Sequence, residues 1–263
     1  LFRKDLLSKF KLNLKKIDVV YHLAAILGVK NVTNFPETTF KTNFISMINL
    51  LDELKRIKFK GKFIFFSTSE VYSPLIFNKK AKQPISDQEN ILLGNKISKR
   101  DSYYLSKITC EKYLELTKLN FKIVRPHNIY GPRMGMSHVI PELIKKFMLN
   151  RKKILVYSPN HKRAFCFIDD AIEQIIRITN SPNKNRVYNI GNPKLEISMY
   201  RLASLIKKIL KSNAKIERGE NTIGSPPRRV PNIKSFLQIN KNVKFTDLTI
   251  GIKKTLSWYK INY

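Results

Sequence analysis

The sequence contains little cysteine and no long apolar run. Its 263 residues include two cysteines, Cys110 and Cys166, too few for a disulfide framework and without the spacing of a metal site. The four histidines are equally scattered. No stretch approaches the ~18 to 20 apolar residues of a membrane helix, although 43% of the residues are hydrophobic. We therefore expect a globular protein of the reducing cytoplasm, with no metal and no membrane partner.

Acidic residues are also scarce. Nineteen aspartates and glutamates face 50 lysines and arginines, giving a formal net charge of +31. Such a surface binds polyanions by releasing counterions. The basic residues are spread along the whole chain, however, and no RNP, zinc-finger or helix-turn-helix pattern accompanies them. We expect weak nonspecific binding at low salt, no specific nucleic-acid partner, and a charge that can attract a phosphorylated substrate.

Short β-branched and aromatic runs alternate with longer segments of helical period, which predicts an α/β domain with a parallel sheet. Strands are predicted within residues 17–24, 61–68, 121–131 and 187–193, and helices at 42–57, 102–113, 141–149 and 198–210. Residues 73–100 are predicted to be a long polar loop. The segment RAFCFIDDAIEQIIRIT predicts a strand and then a helix with Asp169 as N-cap. The packed face of that helix is predicted to carry Ile172, Ile175, Ile176 and Thr179.

One helix carries a tyrosine and a lysine that can act together. Tyr103 and Lys107 are four residues apart, so they lie one above the other on the same helical face. An ammonium beside a phenol stabilises the phenolate, so we expect Lys107 to lower the pKa of Tyr103 from its ordinary value near ~10. In a lysine-rich chain this spacing also arises by chance. Polar residues that follow predicted strands, such as Thr68 and Asn128, strengthen the functional interpretation, because ligands of parallel sheets bind beyond the carboxyl strand ends.

Seven motifs in order give the sequence a family resemblance. They are HLAA, STSEVY, Tyr103-x-x-x-Lys107, RPHNIYGPR, RAFCFIDD, VYNIGNP and SPPRRVPNI. The chain resembles, over nearly its whole length, the extended short-chain dehydrogenase/reductases that modify nucleotide sugars. This resemblance implies a Rossmann-like, doubly wound parallel sheet with a smaller C-terminal α/β substrate-binding lobe. The implied NAD-binding domain spans residues 1–133 with elements of 160–190, and the implied lobe spans 134–159 and 191–263.

The resemblance also implies roles for individual residues. Tyr103 removes the proton of the sugar 4-hydroxyl while hydride passes to NAD, Lys107 holds the phenolate and the nicotinamide ribose, and Thr68 hydrogen-bonds the same sugar oxygen. Glu70 completes the implied catalytic set. Further cofactor contacts are implied at Leu23, Ala24, Ala25, Ser67 and Pro126. The nucleotide-diphosphate sugar is implied to contact Ser69, Asn128, Arg163 and Arg229. The motif does not distinguish Arg229 from its neighbour Arg228 for this role.

The 4-keto sugar that results from this oxidation has three possible fates. A uronic acid loses carbon dioxide, a 6-hydroxy sugar loses water, and an epimerase reduces the ketone on its other face. Within the family, UDP-glucuronate decarboxylases and 4,6-dehydratases resemble the chain most, because they tend to have glutamate at the position of Glu70, whereas galactose epimerases do not. Ser69-Glu70 replaces the Asp-Glu pair usual in dTDP-glucose dehydratases, which weakens that option. Epimerisation remains an alternative.

The family's glycine-rich turn is not found in the sequence. The nine glycines form no G-x-x-G-x-x-G motif, the element that cradles the cofactor pyrophosphate. The expectation is a fragment whose first fifty or so residues are missing, which binds NAD poorly and is inactive by itself. A noncatalytic dinucleotide-binding protein is the alternative of another class. By analogy with the family, the protein is expected to form a homodimer.

Overall fold

A computed structural model describes residues 3–12, 16–94, 96–149 and 151–262. The strands are β1 (Val19–His22), β2 (Lys62–Phe66), β3 (Asn120–Pro126), β4 (Ile129–Tyr130), β5 (Lys153–Val156), β6 (Lys162–Ala164), β7 (Cys166–Phe167), β8 (Arg186–Ile190), β9 (Glu196–Ser198), β10 (Lys215–Arg218) and β11 (Arg228–Arg229). The helices are α1 (Val29–Asn34), α2 (Pro36–Arg56), α3 (Ser73–Phe77), α4 (Asp101–Glu115), α5 (Val139–Met148), α6 (Ile168–Asn180), α7 (Met199–Leu210), α8 (Lys234–Leu237) and α9 (Leu248–Asn262). A 3₁₀ helix spans Ser69–Tyr72.

The chain divides into two compact units. Unit 1 comprises Leu1–Asn78, Asn90–Arg125 and Ile178–Tyr188, and unit 2 comprises Lys79–Glu89, Pro126–Arg177 and Asn189–Tyr263. These limits differ from the predicted ones, which grouped residues 79–89, 126–133, 160–177 and 189–190 with the NAD-binding domain. The difference arises because these residues pair with elements of unit 2. Strand β6 lies between β9 and β11, and Ile85 forms a bridge with Pro231.

Unit 1 is built on a sheet with the strand order β1-β2-β3-β8. Strands β1, β2 and β3 run parallel, with Val20 opposite Phe63 and Phe63 opposite Phe121. Helices α2 and α4 pack against each other. The apolar core of this unit consists of Met47, Leu50, Leu51, Leu54, Phe63, Phe65, Cys110, Leu114, Phe121 and Ile123. The predicted α/β fold with a parallel sheet is therefore confirmed.

A buried lysine joins β3 to the end of α6. Lys122 is 1% exposed, and its ammonium donates hydrogen bonds to the carbonyl oxygens of Ile178 (2.6 Å), Ser181 (2.8 Å) and Thr179 (3.1 Å). The last carbonyls of a helix have no partner within the helix and carry the negative end of its dipole. Burial, followed by the charge of Lys62, lowers the pKa of Lys122 to about 8. The amine thus completes the hydrogen bonding of a helix end.

Two of the predicted elements begin or extend differently in the structure. Helix α2 begins at Pro36 rather than near residue 42, because Pro36 occupies the first turn, where its missing N–H is not needed. The predicted loop at 73–100 begins with helix α3, again with a proline, Pro74, in the first turn. The sequence pattern missed both starts because these turns are too short to show helical periodicity.

Helix α6 exposes two of the four residues predicted to pack. Ile172 and Ile176 are 46% and 49% exposed, while Ala171, Gln174 and Ile178 are buried. Gln174 lies on the buried face because its Oε1 accepts a hydrogen bond from the Gly191 N–H (3.1 Å). The predicted N-cap was also wrong: Asp169 lies within the first turn, where a carboxylate faces the positive end of the helix dipole.

Unit 2 contains three small sheets, β5-β10, β11-β6-β9 and β4-β7. Ser198 caps α7, with its Oγ accepting a hydrogen bond from the Arg201 N–H (3.2 Å). The buried face of α7 carries Met199, Leu202, Ala203 and Ile206. These side chains join a core that also includes Tyr130, Ile140, Leu143, Ile144, Phe147, Ile154, Phe165, Phe167, Ile252 and Tyr259.

Candidate active site

Thr68 lies at the carboxyl end of β2 and contacts the next two functional side chains. Its Oγ1 accepts a hydrogen bond from the Glu70 N–H (3.2 Å) and thereby caps the 3₁₀ helix Ser69–Tyr72. The same side chain hydrogen-bonds the hydroxyl of Tyr103. Because its oxygen already accepts from Glu70, the Thr68 hydroxyl can give its proton to the tyrosine oxygen. The strand end therefore brings Thr68, Glu70 and Tyr103 together.

Tyr103 and Lys107 lie one turn apart on α4, as the sequence predicted. Lys107 is buried. Its ammonium donates a hydrogen bond to the Phe66 carbonyl oxygen, on the last residue of β2 (2.8 Å), and lies 4.9 Å from the centre of the Phe65 ring. Burial lowers the pKa of Lys107 to about 8, against the raising effect of Cys110 and Glu111. The lysine is thus fixed at the end of β2, two residues before Thr68.

The predicted lowering of the Tyr103 pKa is wrong for this structure. Burial raises the pKa of Tyr103 to about 12, the negative charge of Glu70 raises it further, and the hydrogen bond from Thr68 acts in the opposite direction. The helical spacing places Lys107 on the same face, but its ammonium is engaged by Phe66. Removal of water and a nearby carboxylate therefore outweigh the hydrogen bond from Thr68.

Glu70 lies close to an arginine that the sequence did not single out. Arg100 Nη2 and Glu70 Oε1 are 3.9 Å apart, and both side chains are about three-quarters buried. Arg100 immediately precedes α4, three residues before Tyr103. The helix start therefore presents a guanidinium and a phenol toward the same carboxylate. In the sequence, Arg100 was hidden among the many basic residues of the preceding loop.

The end of β1 contains the other residues implied to contact the cofactor in unit 1. His22 lies opposite Phe65 in the sheet, so Leu23, Ala24 and Ala25 follow beside the end of β2. The Leu23 side chain is 57% exposed. His22 is buried and stacks on Phe65, with ring centres 5.9 Å apart. Burial, followed by the charge of Lys107, lowers the pKa of His22 to about 4.

Two buried polar groups hold α4 in place. The Asn43 amide donates to the Ser106 hydroxyl (3.1 Å) and to the Ile26 carbonyl (3.1 Å), and its oxygen accepts from the Ile26 N–H (2.7 Å). Asn43 of α2 thereby ties α4 to the residues that follow β1. Arg125 pairs with Glu111 of α4 through Nε (3.0 Å) and Nη2 (2.5 Å). Its Nη1 donates to the Tyr72 hydroxyl (2.7 Å).

Unit 2 brings together the three residues implied to bind the nucleotide. Arg163 of β6 and Arg229 of β11 are direct neighbours in parallel register, so their side chains leave the same face of the sheet. Asn128 adopts a left-handed backbone conformation (φ 47°), and its amide donates to the carbonyl of Ala164, the residue after Arg163 (3.2 Å). Pro126, the remaining residue implied to contact the cofactor, ends β3.

Arg228 has a different partner from its neighbour. Its guanidinium donates two hydrogen bonds to Glu196 of β9, at 2.6 and 2.9 Å. Arg229 is buried, whereas Arg228 is half-buried. Successive residues of a strand point to opposite faces, so one of the two arginines belongs with Arg163 and the other with Glu196.

A family model described as the NAD dependent epimerase/dehydratase family matches residues 1–191. The chain belongs to this family. Membership confirms the family predicted from the sequence motifs, the enzyme class and NAD as the cofactor. No helix in the described part of the chain is long and apolar enough to cross a membrane, and no group of three or more described His, Cys, Asp or Glu side chains could hold a metal ion.

Members of the epimerase/dehydratase family with similar sequences include decarboxylases. The chain is 33% identical over 260 residues to the UDP-N-acetyl-alpha-D-glucosaminuronate decarboxylase of Bacillus cytotoxicus, covering 92% of this chain and 77% of that protein. It is 32% identical over 232 residues to UDP-glucuronic acid decarboxylase 3 of Arabidopsis thaliana, covering 85% of this chain and 64% of that protein. The chain therefore spans less than two thirds of this plant relative.

The fold is similar to those of solved family members. A UDP-N-acetylglucosamine 4-epimerase from Methanobrevibacter ruminantium M1, in complex with UDP-N-acetylmuramic acid, has a TM-score of 0.84 at 24% identity, over 100% of this chain and 83% of that one. A UDP-glucose 4-epimerase from Thermotoga maritima, with UDP-glucose, has a TM-score of 0.80 at 23% identity, over 93% and 78%. These likenesses confirm the Rossmann-like fold predicted from the sequence.

The residues of unit 1 fit one end of an NAD molecule. Ser67 Oγ is buried and, among the residues that the structure describes, has no hydrogen-bond partner. The Lys107 ammonium lies on the carbonyl of the preceding residue, Phe66. A buried hydroxyl, an ammonium and the Tyr103 phenol together suit the hydroxyl and amide groups of a nicotinamide riboside. The fit concerns this end only, since the nine glycines form no G-x-x-G-x-x-G turn.

Proposed function

We propose that the complete protein modifies a nucleotide-diphosphate sugar by oxidising its C4 hydroxyl to a ketone, and that a uronic acid sugar is then decarboxylated. The observation that carries this proposal is the grouping of Thr68, Tyr103 and Lys107 at the end of β2. A hydroxyl, a phenol and a buried ammonium at the carboxyl end of a parallel strand are the groups that deprotonate an alcohol. The decarboxylase relatives support the choice of reaction.

Tyr103 is proposed to take the proton of the sugar 4-hydroxyl. With a pKa of about 12, the side chain is a phenol at neutral pH and needs nearby positive charge to act as a base. Lys107 supplies such charge on the same helical face, and Thr68 stabilises the phenolate by donating its hydrogen bond. NAD, when bound, supplies the acceptor for the C4 hydride, a positive charge, and later the returning hydride.

Glu70 is proposed to act on the keto sugar. In a uronic acid the C4 ketone is β to the carboxylate, so the electrons of the breaking C5–C6 bond pass into an enolate as carbon dioxide leaves. C5 then takes a proton and C4 takes back the hydride, so the sugar is neither oxidised nor reduced overall. Glu70 lies beside Tyr103 and Arg100, which supports the proposal that it exchanges the C5 proton. Dehydration would use the same base to remove this proton.

Arg163, Arg229 and Asn128 are proposed to bind the nucleotide diphosphate. Two guanidinium groups on one face of a sheet can each form paired hydrogen bonds with phosphate oxygens. The neighbouring register of Arg163 and Arg229 supports this role for Arg229, while the Glu196 pair engages Arg228. Ser69, buried in the first turn after Thr68, is proposed to contact the sugar.

A product assay tests the proposal and separates its alternatives. The complete protein is incubated with NAD and, separately, UDP-glucuronate, UDP-glucose and GDP-mannose, and the products are identified by mass. Loss of 44 mass units from UDP-glucuronate, the mass of carbon dioxide, supports decarboxylation. Loss of water indicates a dehydratase, and an epimer of equal mass, resolved by chromatography, indicates an epimerase. No product from any sugar, together with retained NAD binding, would favour a noncatalytic dinucleotide-binding protein.

The cytoplasmic location and the homodimer remain proposals that rest on the family resemblance. The family resemblance implies a dimer formed through paired helices, including the helix that carries Tyr-x-x-x-Lys, which corresponds to α4. Sedimentation of the complete protein tests the dimer: a single species at twice the chain mass supports it, and a monomer at micromolar concentration contradicts it.

A further inference from the structure

A short segment of unit 2 runs alongside the strand that carries Arg229. We call residues 83–87 the strap. The Ile85 N–H donates to the Val230 carbonyl (2.9 Å), and the Ile85 carbonyl accepts from the Asn232 N–H (2.8 Å). Gln83 adds a side-chain bond, because its Oε1 accepts from the Val230 N–H (3.0 Å). The strap therefore fixes the backbone that follows Arg229.

The strap is itself held in place by buried polar groups. The Asn189 amide donates to the carbonyls of Ile85 (2.9 Å) and Asn232 (3.2 Å). Asp87, at the other end of the strap, accepts a hydrogen bond from the Ser235 hydroxyl (2.8 Å). Ile85, Asp87, Asn189 and Ser235 are all buried. These hydrogen bonds hold the strap, and with it Gln83, in a fixed position.

The oxygen of the Gln83 side-chain amide accepts a hydrogen bond, whereas its nitrogen donates none to the residues that the structure describes. The bond from Val230 fixes which end of the amide is oxygen, because only the oxygen can accept from an N–H. The other end, Nε2, is buried and has no hydrogen-bond partner within the part of the chain that the structure describes. A buried donor without an acceptor destabilises a protein. Gln83 carries this donor on the segment that binds the backbone after Arg229, where a ligand could supply the missing acceptor.

We propose that Gln83 is a substrate-binding residue whose Nε2 donates a hydrogen bond to an anionic oxygen of the nucleotide-diphosphate sugar. The inference rests on the proposed function of Arg229, the residue that precedes Val230. A donor whose amide is bound to the backbone of the residue after Arg229 suits an oxyanion, either a phosphate oxygen or the uronate carboxylate. The strap then does two things: it fixes the strand of Arg229 and adds a second donor to the same site.

Gln83→Glu isolates the donor from the rest of the strap. The glutamate keeps an oxygen that can accept from Val230, but it replaces the NH₂ group by a second, negatively charged oxygen. Gln88→Glu is the control for an added charge at the far end of the strap: it makes the same change at an exposed residue, whose Nε2 donates to Asp87 (3.4 Å) rather than lying unpaired. The measurements on the complete protein are the Kd of UDP by calorimetry, KM and kcat with UDP-glucuronate, and Tm.

We expect Gln83→Glu to leave Tm within about 2 °C and kcat within about threefold, and to weaken binding by about tenfold or more. A weaker Kd for UDP identifies a phosphate oxygen as the acceptor. A raised KM for UDP-glucuronate with an unchanged Kd for UDP identifies the carboxylate. If Gln83→Glu does not fold, the neutral Gln83→Met is measured instead, with the same expectation for binding.

Unchanged binding of both ligands by Gln83→Glu, or an equal loss in Gln88→Glu, would overturn the inference. This outcome differs from a failure of the proposed function. If the wild type binds UDP but converts no sugar, the reaction is wrong while the calorimetric comparison still tests Gln83. If the wild type binds neither UDP nor UDP-glucuronate, both proposals are overturned.

Discussion

The ammonium of Lys107 donates a 2.8 Å hydrogen bond to the carbonyl oxygen of Phe66, so α4 is attached to the end of β2, two residues before Thr68. The burial that accompanies this bond lowers the pKa of Lys107 to about 8. In the unfolded chain the pKa returns to about 10.4. Between these values the unfolded chain binds more protons than the folded protein.

Lys107 should therefore make folding stability rise with pH. Its penalty is fully present below pH 8 and is lost as the pH rises to about 10.4, a change of ~3 kcal/mol in the free energy of unfolding. Urea denaturation of the wild type and of Lys107→Met across pH 7 to 10.5 checks this. As the pH rises, the free energy of unfolding of the wild type should increase relative to that of Lys107→Met. Parallel curves for the two proteins would contradict the shift.

Tyr103→Phe should abolish turnover while leaving substrate binding intact, because only the proton-transfer group is lost. The expected fall in kcat is ~10² to 10⁴-fold, with the Kd of the sugar nucleotide within twofold. Tyr104→Phe is the matched control, because Tyr104 is the next residue of the helix, its side chain is buried, and it has no proposed role in the reaction. Comparable losses in both variants would point to damage to α4 instead of a catalytic role.

Glu111→Gln should destabilise unit 1 strongly. It leaves the buried Arg125 guanidinium without its counter-ion, which costs about 3 to 5 kcal/mol of folding free energy. Glu115 of the same helix pairs with Lys112, but both side chains are largely exposed, so Glu115→Gln should change stability by less than about 0.5 kcal/mol. Chemical denaturation of both variants measures the contrast, and similar small losses would show that the buried pair is unimportant.

His22 should make the protein sensitive to acid. Its pKa is about 4 in the fold and about 6.5 in an unfolded chain, so the unfolded chain binds the extra proton first. Stability contributed by the neutral ring is present above pH 6.5 and is lost as the pH falls toward 4, by ~3 kcal/mol. His22→Phe keeps a ring that can stack on Phe65 but cannot be protonated. Its denaturation midpoint should vary less with pH over this interval, and an unchanged slope would refute the assignment.

Arg229→Met should raise KM for the sugar nucleotide by about 10 to 100-fold, because a charged hydrogen-bonding group is removed from the proposed phosphate site. Arg228→Met, the adjacent substitution, should raise KM less than threefold, since this side chain pairs with Glu196. Steady-state kinetics of the complete protein compares them. A larger effect at Arg228 would reverse the assignment of the two residues.

The sequence predicted the parts of the site that depend on spacing. The four-residue interval between Tyr103 and Lys107 and the position of Thr68 at a strand end follow from the geometry of helices and strands. The pKa of Tyr103 was predicted in the wrong direction, because it depends on burial and on the charge of Glu70, neither of which spacing reveals. The contact between Arg100 and Glu70 was missed because it joins residues thirty positions apart.

Packing decided the other differences. The packed face of α6 was predicted from its isoleucines, yet Gln174 is buried and Ile172 is exposed. Gln174 can be buried because its side-chain oxygen accepts a hydrogen bond from the Gly191 N–H. Arg163 and Arg229 were selected by resemblance, but their side-by-side register depends on how β11 pairs with β6. A pairing between strands so distant in the chain leaves no local pattern in the sequence.

Lys122 has all three of its N–H donors engaged by carbonyl oxygens at the end of α6. An amine held in this way can react with an acylating reagent only after the sheet opens, whereas the exposed lysines of this basic chain react at once. The rate at which Lys122 becomes acetylated therefore reports how often unit 1 opens. Peptide mass spectrometry measures this rate and compares it with the faster acetylation of the exposed lysines.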